Sequence, residues 1–200
     1  MPTKKVVSDA GDILVLRTTL AGSRPRVWRE VEVAASTTLA GLHDVLQVLM
    51  GWEDCHLWSF ESGPRRFELP DPEGMNFGNR PPEDPERVTI GGLLTGKGQT
   101  LDYYYDFGDD WCIEISVVGS GKASPGAGYP RCVAGERAGP PEDCGGLGGF
   151  AQLLAAHKNP RTEDDRELLE WVGEDWDPGA FDLNAVNRAL SALRAPRRRH

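Results

Sequence analysis

The stretch from Asp102 to Val118, DYYYDFGDDWCIEISVV, restricts what this chain can fold into more than any other. Period-two spacing puts Tyr103, Tyr105 and Phe107 on one face of a strand, and Trp111, Ile113, Ile115 and Val117 on one face of the next. Gly108 and the neighbouring aspartates supply the turn. The segment therefore reads as a hairpin with an aromatic inner face, and such a face requires a second layer to bury it.

A covering layer lies upstream. In STTLAGLHDVLQVLMGW, Leu39, Leu42, Val45, Leu46 and Leu49 recur at helical spacing, a Ser/Thr cap precedes them and Gly51 follows. Burying these five side chains is worth on the order of 8 to 15 kcal/mol as an upper bound, enough to dock the helix on a sheet. Before it, DILVLRTTLAGSRPRVWREVEVAAS reads as a hairpin around a Gly-Ser-Arg-Pro turn. In its second strand Val27, Arg29, Val31 and Val33 alternate with Trp28, Glu30 and Glu32.

Two short strands, HLWSFE and RRFEL, flank Ser62-Gly63-Pro64, and VTIGGLL reads as a short helical turn. Residues 70 to 87 hold five prolines without periodicity and read as an exposed loop. A second long loop, residues 119 to 148, is expected to be ordered, anchored by Tyr129, Cys132 and Cys144. Helices are predicted at 149 to 158, at 163 to 172 behind Thr162, and at 183 to 194 behind Asp182. This order gives an α+β fold: a mainly antiparallel sheet with a helix across one face, β-grasp-like in its N-terminal half, plus C-terminal helices. Residues 1 to 11 are expected to form a flexible N-terminus, 12 to 194 one domain and 195 to 200 a basic tail.

Twenty-two basic against 31 acidic side chains leave a formal charge of −9, which disfavours general binding to nucleic acid phosphates. No apolar run approaches the length of a membrane span or a signal peptide, so a cytosolic protein without membrane partners is expected. Four cysteines without a C-x-x-C pair read as reduced thiols.

Several motifs in order, RPRVWREVEV, TLAGLHDVLQVLMGWEDCHLWSF, YYYDFGDDWCIEI, YPRCVAGERAGPPEDCGG and DPGAFDLNAVNRAL, resemble the plasmid pRiA ORF-three-like family, also labelled the insertion-element passenger TnpR family. The resemblance covers roughly residues 12 to 193 and implies a protein of unknown function from plasmid or mobile-element neighbourhoods. Members often carry His where this chain has Ile113, and Cys where it has Gly139. The resemblance thus implies a soft metal site in relatives, made of that His, that Cys and Cys132. In this chain such a site would be lost, or rebuilt from His56, Cys132 and Cys144.

The leading functional expectation is a non-catalytic module binding a protein or peptide in a groove between the aromatic hairpin and the Cys132 to Gly149 loop. Its contributors would be His56, Trp58, Tyr105, Asp106, Trp111, Arg131, Glu136, Glu142 and Asp143, with no cofactor expected and zinc or another divalent metal as the alternative. The first alternative is a metal-dependent hydrolase using Asp106, Asp109 and His56. The second is a DNA-binding accessory protein, which would need a local basic face. Plainer accounts compete at each point: the aromatics serve as core, turn aspartates accept backbone hydrogen bonds, and the acidic run around Trp171 and Trp176 is a solvated helix. Asp106 resists the plain account most, because it precedes Phe107 in a strand flanked by aromatics.

Overall fold

A computed structural model describes residues 11 to 69 and 81 to 193. The first ten residues, the basic tail and residues 70 to 80 of the proline-rich segment lie outside the described residues. The elements run β1 (Asp12–Leu20), β2 (Trp28–Ala34), α1 (Leu39–Met50), β3 (Trp58–Ser62), β4 (Arg65–Phe67), α2 (Ile90–Leu93), β5 (Thr100–Tyr105), β6 (Trp111–Lys122), β7 (Arg131–Glu136), α3 (Gly146–Lys158), α4 (Glu163–Val172) and α5 (Leu183–Ala192).

All seven strands form one sheet in the order β4-β3-β5-β6-β1-β2-β7, with every paired neighbour antiparallel. The architecture is α+β, and it opens with the hairpin and crossing helix that give the N-terminal half its β-grasp-like order. Leu16, Val31, Phe60, Tyr103, Trp111, Ile113 and Ile115 are buried with Leu39, Leu42, Val45, Leu46 and Leu49 of α1 in one core. Alternate positions such as Arg17, Glu30, Tyr104 and Glu114 are less buried, as expected for an antiparallel sheet with one face on the core.

Local chemistry fixes the helix ends. Thr38 caps α1 by accepting from the Gly41 N–H, and Gly51 closes it in a left-handed conformation at φ 80°. A capping box between Thr162 and Asp165 starts α4, and the Asp182 carboxylate accepts from the Asn184 and Ala185 N–H groups to start α5.

Three local expectations are corrected. Phe107 does not share the inner face of β5: Asp106 adopts φ 54°, ends the strand and leaves Phe107 45% exposed. The long 119 to 148 loop contains an edge strand, β7, hidden in the sequence because Pro130 and Gly135 interrupt its alternation and its pairing with β2 carries a register shift at Glu30/Val31. Helix α3 starts at Gly146 rather than residue 149, through glycines whose close approaches no side chain tolerates. Gly146 has φ 64° and an added Cβ would lie 2.5 Å from the Asp109 carbonyl oxygen; at Gly149 it would be driven into the carbonyl of Cys144.

Candidate functional site

Three loops converge beyond the end of α1: residues 51 to 57, the hairpin turn 106 to 110, and residues 140 to 145 ahead of α3. Aromatic packing brings them together. Trp52 stacks on Tyr105 with ring centroids 4.7 Å apart, and its indole N–H donates to the Pro140 carbonyl at 3.0 Å. The Glu53 N–H donates to Glu142 Oε1 at 2.7 Å, and the Asp106 N–H donates to the Leu57 carbonyl at 3.0 Å. Asp109 accepts the Gly145 N–H at 3.1 Å, so the turn's own carboxylate occupies the start of α3.

Inside this enclosure His56 Nε2 faces three carboxylates: Asp143 Oδ1 at 3.0 Å, Asp106 Oδ2 at 3.6 Å and Glu142 Oε2 at 3.8 Å. His56 Nε2 and Glu142 Oε2 are both buried atoms that make no hydrogen bond. An orphaned buried polar atom is costly, and Glu142 Oε2 is turned toward an imidazole nitrogen whose nearest partner is Asp143 Oδ1 at 3.0 Å. The other oxygens are engaged, with Asp106 Oδ1 accepting from the Gly108 N–H at 2.9 Å and Glu142 Oε1 held by Glu53 and Tyr105.

This donor set fits a divalent cation. Bonds of about 2.1 Å in a tetrahedral site separate adjacent donors by about 3.4 Å, a value bracketed by the separations seen around His56. Two overlapping donor triads share that imidazole: His56 with Asp106 and Asp143, and His56 with Cys55 and Glu142. One imidazole with several carboxylates suits zinc, manganese or ferrous iron. Asp54, Asp106 and Asp143 all have φ between 54° and 57°. Asp tolerates this left-handed region better than most residues, and such positions concentrate at ligand sites.

A second polar cluster underlies the first. Buried His43 contacts Tyr103 Oη at 2.7 Å through Nδ1 and Asp54 Oδ1 at 2.8 Å through Nε2, and its ring stacks on Trp58 at 4.2 Å. The Gln47 side-chain amide donates to the same Tyr103 oxygen at 3.0 Å, while Gln47 Oε1 accepts the Asp54 N–H at 2.9 Å. His43 thus bridges the Tyr103 hydroxyl and the Asp54 carboxylate, one ring nitrogen to each. Burial drives the Tyr103 and Tyr105 hydroxyls well above the ordinary phenol range, with the hydrogen bond to Glu142 adding to the rise at Tyr105. Both phenols remain hydrogen-bond donors at neutral pH.

Of the residues singled out from the sequence, His56, Asp106, Glu142 and Asp143 meet, and Tyr105 supports them. The others lie elsewhere for physical reasons. Trp111 is a fully buried core side chain packed edge-on against Phe150, and Trp58 is buried beneath His43. Arg131 and Glu136 belong to edge strand β7, where Arg131 pairs with Glu32 at 2.7 Å and Glu136 accepts the Trp28 indole N–H at 3.1 Å. Cys132, buried on β7, and Cys144, buried ahead of α3, are absent from the convergent donor groups around His56. Asp109 serves Gly145 and is not part of the cluster around His56. Cys55, which the sequence offers beside His56 as a possible ligand, joins His56 and Glu142, whereas His43 and Asp54 were missed, since His43 lies among the apolar residues of α1 and Asp54 in an irregular loop.

The implied soft site of relatives meets a topological obstacle. Position 113 is on β6 and Cys132 on β7, with β1 and β2 between them. Three strand spacings of about 4.8 Å put those backbones about 14 Å apart.

A layered α+β protein with a His-carboxylate cluster at one end of its aromatic hairpin is the class that fold and site define. The chain matches the family model described as "Plasmid pRiA4b ORF-3-like protein" over residues 12–185, and it belongs to that family. It is 35% identical over 187 residues to an uncharacterized protein, y4hQ, of Sinorhizobium fredii (strain NBRC 101917 / NGR234), covering 92% of this chain and 93% of that one. It is also similar to the crystal structure of a protein of unknown function, MM3350, from Methanosarcina mazei Go1, with a TM-score of 0.78, 30% identity and coverage of 88% of this chain and 97% of that one. The family is one of unknown function, so the chemistry of the site carries the functional argument.

Proposed function

We propose that this chain is a divalent-metal protein whose working centre is His56 with Asp106, Glu142 and Asp143, and that its chemistry is metal-assisted hydrolysis. The observation that carries this reading is the convergence of three carboxylate oxygens on His56 Nε2 at 3.0, 3.6 and 3.8 Å, with Glu142 Oε2 buried and without a hydrogen bond. A cation beside His56 satisfies the free Glu142 oxygen and offsets the repulsion between the Asp106 and Asp143 carboxylates. A bound divalent ion would supply Lewis acidity toward water or a substrate oxygen. His56, Asp106 and Glu142 sit in the less exposed wall, whereas the Asp143 side chain is 68% exposed and is the residue able to exchange protons with an incoming molecule. Tyr105 holds Glu142 in place, and the Trp52 and Tyr105 rings limit water on the inner side.

A second reading keeps the centre but makes it a recognition site for a peptide or protein. Leu57 is 71% exposed and Phe107 45% exposed, and they border Asp106. Exposed apolar side chains rimming a polar cluster favour a partner with an apolar anchor.

Metal content decides the first point. Protein purified without chelator or an affinity tag that binds metal is expected to contain one equivalent of zinc, manganese or iron, and His56→Ala or Glu142→Gln is expected to contain none. A metal-free protein that also fails to bind these ions in calorimetry would overturn the proposal. A loaded protein inactive on a panel of ester and phosphoester substrates, yet retaining a peptide partner, would favour the second reading.

A further inference from the structure

A cavity of about 370 Å³ is lined in part by residues 137 to 141, and none of His56, Asp106, Glu142 and Asp143 is among its walls. Its walls include Met50 at the end of α1, Arg29, Arg137, and Trp176, Phe181 and Val186 around the start of α5. The volume falls in the range of small-molecule sites.

Charge sets this cavity apart. Arg17, Arg65, Arg66, Arg87, Arg131, Arg166 and Arg188 each pair with a carboxylate. Arg29 and Arg137, which both line the cavity, make no carboxylate pair among the described residues; Arg24, Arg26 and Arg161 make none either, but these three are exposed to solvent. Arg29 is 2% exposed. Its guanidinium donates to the carbonyls of Leu49 at 2.9 Å, Trp28 at 2.8 Å, Glu136 at 2.7 Å and Arg137 at 2.7 Å, while Phe181 lies over it at 4.3 Å. Those four bonds use four of five N–H groups and leave the positive charge without an anion. Burial lowers the Arg29 pKa to about 10, consistent with that deficit. Asp182 also lines the cavity, with one oxygen capping α5 and the other 3.8 Å from the Arg188 guanidinium. Arg137 is half-buried and held at φ 69°, an uncommon conformation for arginine.

We infer that this cavity binds a small monocarboxylate with an apolar tail, its carboxylate facing Arg29 and Arg137 and its tail lying against Met50, Trp176 and Phe181. The carboxylate supplies a counter-charge to the two guanidinium groups, and the apolar walls receive the tail. The inference stands apart from the metal centre and survives that centre's failure.

Calorimetry on the full chain treated with EDTA tests it, using octanoate, octanol and octylammonium as probes. Octanoate is expected to bind about tenfold or more tighter than octanol, as a charge-assisted hydrogen bond predicts, and octylammonium not at all. Arg137→Gln should remove most of that margin and Ala185→Trp should fill the cavity and abolish binding, while Asp143→Asn should change nothing. Equal affinity for octanoate and octanol, or no octanoate binding by folded wild-type protein, overturns the inference. So does loss of octanoate binding in Asp143→Asn with retention in Arg137→Gln, which would place the carboxylate at the other centre.

Discussion

Tyr105 donates to Glu142 Oε1 at 2.9 Å while accepting the Cys55 N–H at 3.1 Å, so one phenol on β5 joins the loop after α1 to the loop before α3. With the Glu53 N–H also on Oε1, the other Glu142 oxygen is left facing His56. The aromatic strand therefore sets the carboxylate's orientation, beyond its part in the core.

Tyr105→Phe should keep the stack on Trp52 and lose only the hydroxyl. Glu142 then keeps one of two donors and the Cys55 N–H loses its acceptor, a loss of about 1 to 3 kcal/mol in urea denaturation. Metal affinity should fall about 10- to 100-fold, as for other groups that orient a ligand from behind. An unchanged affinity would mean that Glu142 is not a ligand.

Asp143→Asn should have opposite effects in the two states. Without metal, removing one of three neighbouring negative charges should raise the melting temperature. With metal, a ligand or proton carrier is lost, and the stabilisation that a saturating ion gives the wild type, about 2.7 kcal/mol at 100 times Kd, should shrink. Thermal melts of both proteins with EDTA and with excess zinc or manganese measure the difference, and parallel shifts would count against a cation at this place.

Much of this architecture was legible because periodicity reports burial. The alternation of Trp111, Ile113 and Ile115 and the spacing of Leu39, Leu42 and Leu46 specify which faces meet. Edge strand β7 was not legible, since its glycine and bulge break the alternation that identifies a strand. The site was partly legible: His56, Asp106, Glu142 and Asp143 stand out as polar residues beside aromatic or turn segments. Sequence offered no means of separating them from Arg131, Glu136 and Trp111. That separation comes from strand order, which puts β7 at the far edge, and from strand phase, which turns Trp111 inward. The Asp54–His43–Tyr103 chain was hidden because it joins residues 49 positions apart, from Asp54 to Tyr103, through tertiary packing alone.

Arg29 ties the end of α1 to β2 and β7 through four carbonyls. Arg29→Met keeps the stem's apolar packing but leaves those acceptors to find other partners, so a loss of about 3 to 5 kcal/mol is expected. Arg29→Lys should recover little, because an ammonium cannot reproduce the planar fork. Urea midpoints of the two variants check this, and a fully stable lysine variant would show that charge alone suffices.

Restoring the residues common in relatives should not create a metal site here. Ile113 is fully buried, and a Cβ at Gly139 would be driven into the carbonyl of Met50. Ile113→His would bury a polar ring in the core, and Gly139→Cys would force backbone movement. The double variant is expected to lose more than about 3 kcal/mol by the sum of these effects, without gaining metal. A stable double variant holding an extra equivalent of metal would mean that β6 and the 139 loop approach in a way the strand order does not allow.

Alkaline solution should weaken the fold through its buried thiols. Burial raises the Cys112 pKa from 9.0 to about 11, helped by Asp102, and that of Cys144 from 9.0 to about 12, helped by Asp109. In the unfolded chain these thiols ionise near the ordinary value, so between pH 9 and 11 to 12 the unfolded state binds fewer protons than the folded state. The stability they contribute is complete below pH 9 and is lost as pH rises through the folded values. Cys112 is only half-buried, so solvent screening reduces its share and Cys144 dominates. The raised hydroxyls of Tyr103 and Tyr105 act with the same sign at higher pH. Urea midpoints should therefore fall between about pH 8.5 and pH 10.5, and Cys144→Ala should flatten that slope despite its own packing loss. Exposed Cys55 should be the first thiol alkylated in the folded protein, with Cys132 and Cys144 reacting only on unfolding. A midpoint that stays level across this range, or rapid labelling of Cys144, would mean that the loop ahead of α3 opens far more often than its contacts with Asp109 imply.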